Sequence, residues 1–265
     1  MTFRLKQPLA LAGILIAGLA ACTQPGPRPG VAATPAATAE PAKPAGGPSK
    51  ATLDGMQAYN SGDRMRAFRY LKQAAEADDP EGQVNFGYLY ARGHGTLVNQ
   101  VQAMRLYELS AKAGSSEGMN AIGYKYLHGT GVEKDPRRAL DWFCQAVALG
   151  NPRAMNNLAT MLVNGELPTD MDEARRLWQQ AIALGHANAM ANMGWSWQQQ
   201  PGGDAKQAYD WMLRAAQAGH PQAQQFVREN GYDGALPPAV EVGLIMTPAP
   251  TNATGHSKAC PTPSS

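Results

Sequence analysis

The sequence predicts an all-α fold: a solenoid of five stacked helix–turn–helix repeats over about residues 51–231. Three observations lead there. Ala67, Ala103, Ala139, Ala174 and Ala208 recur at spacings of 36, 36, 35 and 34 residues. Around each alanine, apolar or small residues stand at helical spacing, as in Tyr70-Leu71, Leu106-Tyr107, Trp142-Phe143, Leu177-Trp178 and Trp211-Met212, then Ala74, Ser110, Ala146, Ala181 and Ala215. Such spacing draws one apolar face along a helix. The same punctuation brackets each copy. Asp63, Asn99, Asp135, Asp170 or Asp204 stands four places before the alanine, and Gly114, Gly150, Gly185 or Gly219 eleven places after it, with Asp78 as the exception. A short polar side chain accepts from the open N–H groups of a helix start, and glycine ends a helix by turning left-handed at little cost.

The elements follow in order. Residues 52–62, with Met56 and Tyr59, read as a lone helix capping the front. The repeats then occupy about 63–98, 99–134, 135–169, 170–203 and 204–231. The second helix of each starts at Asp79, Ser115, Asn151, His186 or His220, followed in three copies by Pro80, Pro152 and Pro221. Proline is tolerated there because the first helical N–H has no partner. Phe86, Ile122, Leu158 and Met193 mark its core, each followed by a small residue, Gly87, Gly123, Ala159 and Gly194, that permits close helix approach. One helix pair cannot bury its apolar face alone, but stacked pairs can.

This pattern, Ala-x-x-Trp-Phe-x-x-Ala with the Leu-Gly step at 149–150 and the Gly-x-Gly loops at 93–95 and 129–131, resembles the Sel1-like repeat, a relative of the tetratricopeptide repeat. The resemblance covers residues 54–230 and implies a right-handed solenoid serving protein–protein interaction. The loops at Gly165–Pro168 and Gln200–Gly203 depart from the pattern.

The flanks carry the expected address. Arg4 and Lys6 precede an apolar run of 13 residues, Leu9 to Ala21, too short to span a bilayer but suited to a signal peptide. It closes Leu19-Ala20-Ala21-Cys22, which resembles the bacterial lipobox. That resemblance implies cleavage after residue 21 and acylation of Cys22 with several fatty chains, a durable anchor. Thr23, where an aspartate would retain the protein at the inner membrane, implies the outer membrane, periplasmic face. Residues 22–50, rich in Pro and Ala, read as a disordered tether reaching about 80–90 Å. The Pro-rich tail 232–265 holds no helix signal; either Val240, Val242 and Leu244 alternate as an extended piece that covers the open end of the last repeat, or the tail is disordered.

Charge and motifs exclude much chemistry. Removing residues 1–21 takes two of the 23 basic residues and none of the 21 acidic ones, so the remainder is neutral. Nucleic-acid binding needs a basic surplus, so no nucleic-acid partner is expected. Gly114-Ser115-Ser116-Glu117-Gly118 has the form of a nucleophile elbow, but that motif works on a strand-to-helix turn, and here a helix precedes it. The acids at Asp170, Asp172 and Glu173 suit a helix N-terminus. His186 and His220 hold equivalent places in adjacent repeats, too far apart for one metal, and His94 and His128 have no ligand partner in sequence. No cofactor, metal or enzyme activity is expected.

What remains is surface. Tyr88, Tyr124, Thr160 and Trp195 make a row on the second helices; exposed aromatics of this kind become binding hot spots, unless they pack between repeats. Arg69, Arg105 and Arg176 recur on the first helices, which the resemblance places along the concave groove, where they would grip a carboxylate or else form a solvated face. Cys144 falls about 140° from its marker on the helical wheel, off the core stripe. It and Cys260 either pair, strapping the tail to the solenoid, or stay independent thiols. The expected function is a non-enzymatic interaction module with a periplasmic or envelope protein partner. One version is a scaffold or adaptor of an envelope assembly. The alternative is an immunity protein neutralising a periplasmic toxin such as a secreted lipase. A cell-wall or β-lactam hydrolase is disfavoured, because the Sel1-like proteins linked to that chemistry carry a cysteine pair in nearly every repeat and this chain carries none.

Overall fold

The computed structural model describes residues 47–168, 170–199, 202–236, 257, 259 and 260. Cys22, the tether before residue 47, and Val240, Val242 and Leu244 lie outside them. The described residues form helices throughout and no strand: α1 (Lys50–Asn60), α2 (Arg64–Glu76), α3 (Pro80–Arg92), α4 (Gln100–Lys112), α5 (Ser116–His128), α6 (Pro136–Ala148), α7 (Pro152–Asn164), α8 (Met171–Ala183), α9 (Ala187–Gln199), α10 (Ala205–Gln217) and α11 (Pro221–Glu229).

The caps explain the boundaries. Asp63, Asn99, Asp135, Asp170 and Asp204 accept from backbone N–H groups at the starts of α2, α4, α6, α8 and α10. Asp79, Ser115, Asn151 and the Nδ1 of His220 do the same for α3, α5, α7 and α11. Each such cap is worth about 1 kcal/mol. Gly114, Gly150, Gly185 and Gly219 turn left-handed after the first helix of each pair, and Asp78 takes the same conformation at φ 55° in the glycine-less copy.

Each helix packs antiparallel on the next, and repeats stack through the small residues. A Cβ on Gly87 would sit 2.7 Å from the Tyr107 ring, and one on Gly123 2.7 Å from the Phe143 ring. The helices form two layers. α1, α3, α5, α7 and α9 each approach the next helix of their own set, whereas α2, α4, α6, α8 and α10 stand further apart. The first set is therefore the inner layer and the second the outer one.

The core is continuous through the middle, built on Phe143, Ile122, Leu158, Met155 and Leu177, with satellite clusters at each end. At the rear, Tyr232 and Leu236 pack against the α10–α11 cluster and cover it. The tail returns to the middle of the outer layer. Cys260 is bonded to Cys144 of α6, their Cα atoms 5.4 Å apart across 116 residues of sequence. The Ser257 hydroxyl donates to Glu173 of α8 at 2.6 Å, and Ala259 and Cys260 pack on the central core.

Candidate functional site

The inner layer carries an open groove of about 430 Å³. Its walls are α3, α5 and α7, its far end is the start of α9, and its floor receives Gln100 and Tyr107 from α4. The second helices supply both walls because their apolar stripe faces the outer helices and leaves the opposite side to polar residues.

Three cations enter this groove: Arg92 from the end of α3, Lys125 from the last turn of α5 and Arg153 from the start of α7. Among the described residues no aspartate or glutamate lines it. Lys125 is 6% exposed, and its ammonium donates to the neutral Gln100 Oε1. Burial, then the charge of Arg92, pushes its pKa down. Arg92 lies over the Tyr88 ring, 5.6 Å from its centre. Arg153 sits at the edge of ion-pair range from Glu117, 4.0 Å away; burial raises the pKa of that carboxyl, and Arg153 partly offsets it.

Asparagines form the second feature. Asn157 donates to Asn120 at 2.9 Å, linking α7 to α5, and Asn192 donates to Asn156 at 2.8 Å, linking α9 to α7. These cross-repeat rungs fix the spacing of three helices. Buried amides need partners, and here each supplies the other's. His186 lies at the groove's end, its pKa lowered to about 4 by burial, then by the charges of Arg153 and His220.

The sequence-predicted residues divide. Tyr88 and Tyr124 line the groove. Tyr124 is 45% exposed and stacks on His128 at 4.2 Å; Tyr88 is half-buried, edge-on to Tyr59. Trp195 instead packs edge-on against Phe226 of the next repeat at 5.4 Å and, with Thr160, lines a separate cavity of about 330 Å³. The arginine ladder is not in the groove. Arg69, Arg105 and Arg176 belong to the outer layer: the first two are exposed, and Arg176 is clamped on Glu173 by two bonds of 2.8 and 2.7 Å. The expectation was one helix out of frame, because the helices lining the groove are the second of each pair as counted from the alanine markers. Ser116 opens α5, where its hydroxyl accepts from Asn151 at 3.1 Å. Among the described residues no three His, Cys, Asp or Glu side chains group as a metal site.

Arg92, Lys125 and Arg153 form no visible set in the sequence because they occupy three different positions of the repeat. They align only across neighbouring helices, so no register reveals them. The recurrence of Asn120 and Asn156, and of Asn85, Asn157 and Asn192, inside otherwise apolar helices was a visible signal.

Stacked helix pairs with an open polar face and a glycine-ended repeat of this length define an α-solenoid of the tetratricopeptide-like class. The Sel1 repeat model matches residues 58–79, 80–115, 116–151, 152–186 and 187–220, more than half of the chain. The chain belongs to the Sel1-repeat family, whose repeats mediate protein–protein interaction. The family's unit opens with the helix that lines the groove, as 80–115 shows for α3 and α4. No curated protein matches the sequence. Among solved structures the chain is similar to a Sel1 repeat protein from Oxalobacter formigenes (24% identity, TM-score 0.57, covering 69% of this chain and 78% of that one). It is also similar to immunity protein PA5088 from Pseudomonas aeruginosa (17% identity, TM-score 0.52, 69% and 72%) and to immunity protein Pa5087 from the same organism (18% identity, TM-score 0.54, 66% and 69%).

Proposed function

We propose that the protein is a non-enzymatic interaction module, an outer-membrane-anchored periplasmic lipoprotein that acts as scaffold or adaptor of an envelope assembly. The observation that carries the binding role is the inner-layer groove: open, lined by Tyr88 and Tyr124, and bearing Arg92 and Lys125, which among the described residues have no carboxylate partner. Exposed tyrosines and arginines are what interaction hot spots are made of. The lipobox-like end at Cys22 supports the anchor, and the bond between Cys144 and Cys260 supports an oxidising compartment. An immunity role is the second reading, favoured by the likeness of fold to two proteins titled immunity proteins.

Cross-linking capture with the full acylated chain in its own envelope tests this, with Tyr124→Ala as control. One dominant partner that the variant loses is expected; a toxin as that partner selects the immunity reading. No partner from a folded, anchored chain contradicts the proposal. Labelling with an alkynyl fatty acid tests the anchor: label on the wild type and none on Cys22→Ser is expected, and label on neither overturns it.

A further inference from the structure

We infer that the groove of α3, α5 and α7 receives an extended, acidic segment of a partner protein, its carboxylates meeting Arg92, Lys125 and Arg153 while its backbone runs along the asparagine rungs. This rests on the reading of the chain as an interaction module and names the chemistry of its partner.

Charge is the first ground. Among the described residues neither Arg92 nor Lys125 has a carboxylate partner, and no acid lines the groove. Lys125 is nearly buried with only a neutral amide oxygen and the Tyr107 ring, 6.0 Å away, beside its ammonium. A charge held out of water without a counter-ion is costly, and an incoming carboxylate relieves that cost. Other ion pairs of the fold, such as Arg176 with Glu173, are closed within the chain; Arg92 and Lys125 instead face a cavity.

Shape and hydrogen bonding point to an extended chain. The cations lie one per helix on three successive helices, running obliquely from the end of α3 to the start of α7. Packed helices stand about 8–10 Å apart, and an extended chain rises about 3.3 Å per residue, so each helix corresponds to about three residues of ligand. In the Asn157–Asn120 pair, the Nδ2 of Asn120 and the Oδ1 of Asn157 keep capacity for another bond. A primary amide offers a donor and an acceptor together, matching a peptide group. Tyr88 and Tyr124 flank the path and take apolar side chains between the acidic ones. A nucleic acid would require a basic surplus, whereas the whole chain carries only +2.

The test is selection from a displayed library of random twelve-residue peptides against the full chain, followed by affinity measurement on the selected peptides. The expected binders are enriched in Asp and Glu over the starting library. They lose about tenfold or more in affinity on Arg92→Gln and on Lys125→Gln, and weaken as salt rises. Arg92 is exposed, so its variant folds irrespective of the groove; Lys125→Gln is accepted once its helical melt matches the wild type. Arg69→Gln, on the outer layer, is expected to bind as the wild type does. Binders without acidic enrichment, binders indifferent to both groove variants, or no saturable binder would each overturn the inference. The envelope capture decides the module reading separately: a partner retained by Arg92→Gln leaves that reading standing while this one falls.

Discussion

Asp78 is the one described residue other than glycine held at positive φ. Its counterparts in the other repeats are glycines, which reach that conformation without a Cβ penalty. Asp78→Gly is expected to raise stability by about 0.5–1 kcal/mol, read as a higher urea midpoint at unchanged slope. His186 makes a second prediction. Its folded pKa of about 4 lies below the ordinary value of 6.5, so between these values the unfolded chain binds more protons. The associated stability is complete above about pH 6.5 and is lost as pH falls towards 4, by at most about 3 kcal/mol. His186→Asn, which installs the side chain that Asn151 carries at the equivalent place, is expected to flatten that part of the pH–stability curve relative to the wild type. Parallel curves for the two proteins would contradict the burial of the ring.

At the scale of the elements, two contacts decide how repeats stack and how the tail is held. The Phe143 ring is fully buried and sits where a Cβ on Gly123 would fall. Gly123→Ala therefore forces α5 and α6 apart, and a loss of about 1–3 kcal/mol is expected from thermal melts. The tail strap joins α6 through Cys144 and α8 through Glu173. Cys260→Ser removes a cross-link closing a loop of over a hundred residues, which is worth about 2–4 kcal/mol. The expected result is a lower melting temperature with faster amide exchange in α6 and α8; an unchanged melt would show that the strap adds nothing to the fold.

For the whole molecule, helix positions were legible because the marks recur: a capping side chain opens the first helix in all five copies, and a glycine follows it in four, with Asp78 in the fifth. Asp63 through Asp204 and Gly114 through Gly219 delimit the outer helices where the structure has them. The functional face was less legible. Periodicity says which residues face the neighbouring helix but not which helix of the pair lines the groove, and for that reason Arg69, Arg105 and Arg176, expected in the groove, lie on the outer helices α2, α4 and α8. Trp195 shares a repeat position with Tyr88 and Tyr124 yet packs on Phe226, because the last repeat places an aromatic where the others carry Asn85, Ala121, Asn157 and Asn192. The tail's return to α6 was legible as one of two alternatives for Cys144 and Cys260; the bond spans 116 residues, and no local pattern selects it over independent thiols.

The binding role proposed for the inner layer can be read directly in the cell. A photo-cross-linking residue placed in turn at Tyr124 and Arg92 in the groove, and at Arg69 and Arg105 on the outer layer, tests it in intact envelopes. One protein adduct is expected from both groove positions and none from the outer ones. Adducts from Arg69 and Arg105 alone, or from no position, would contradict it.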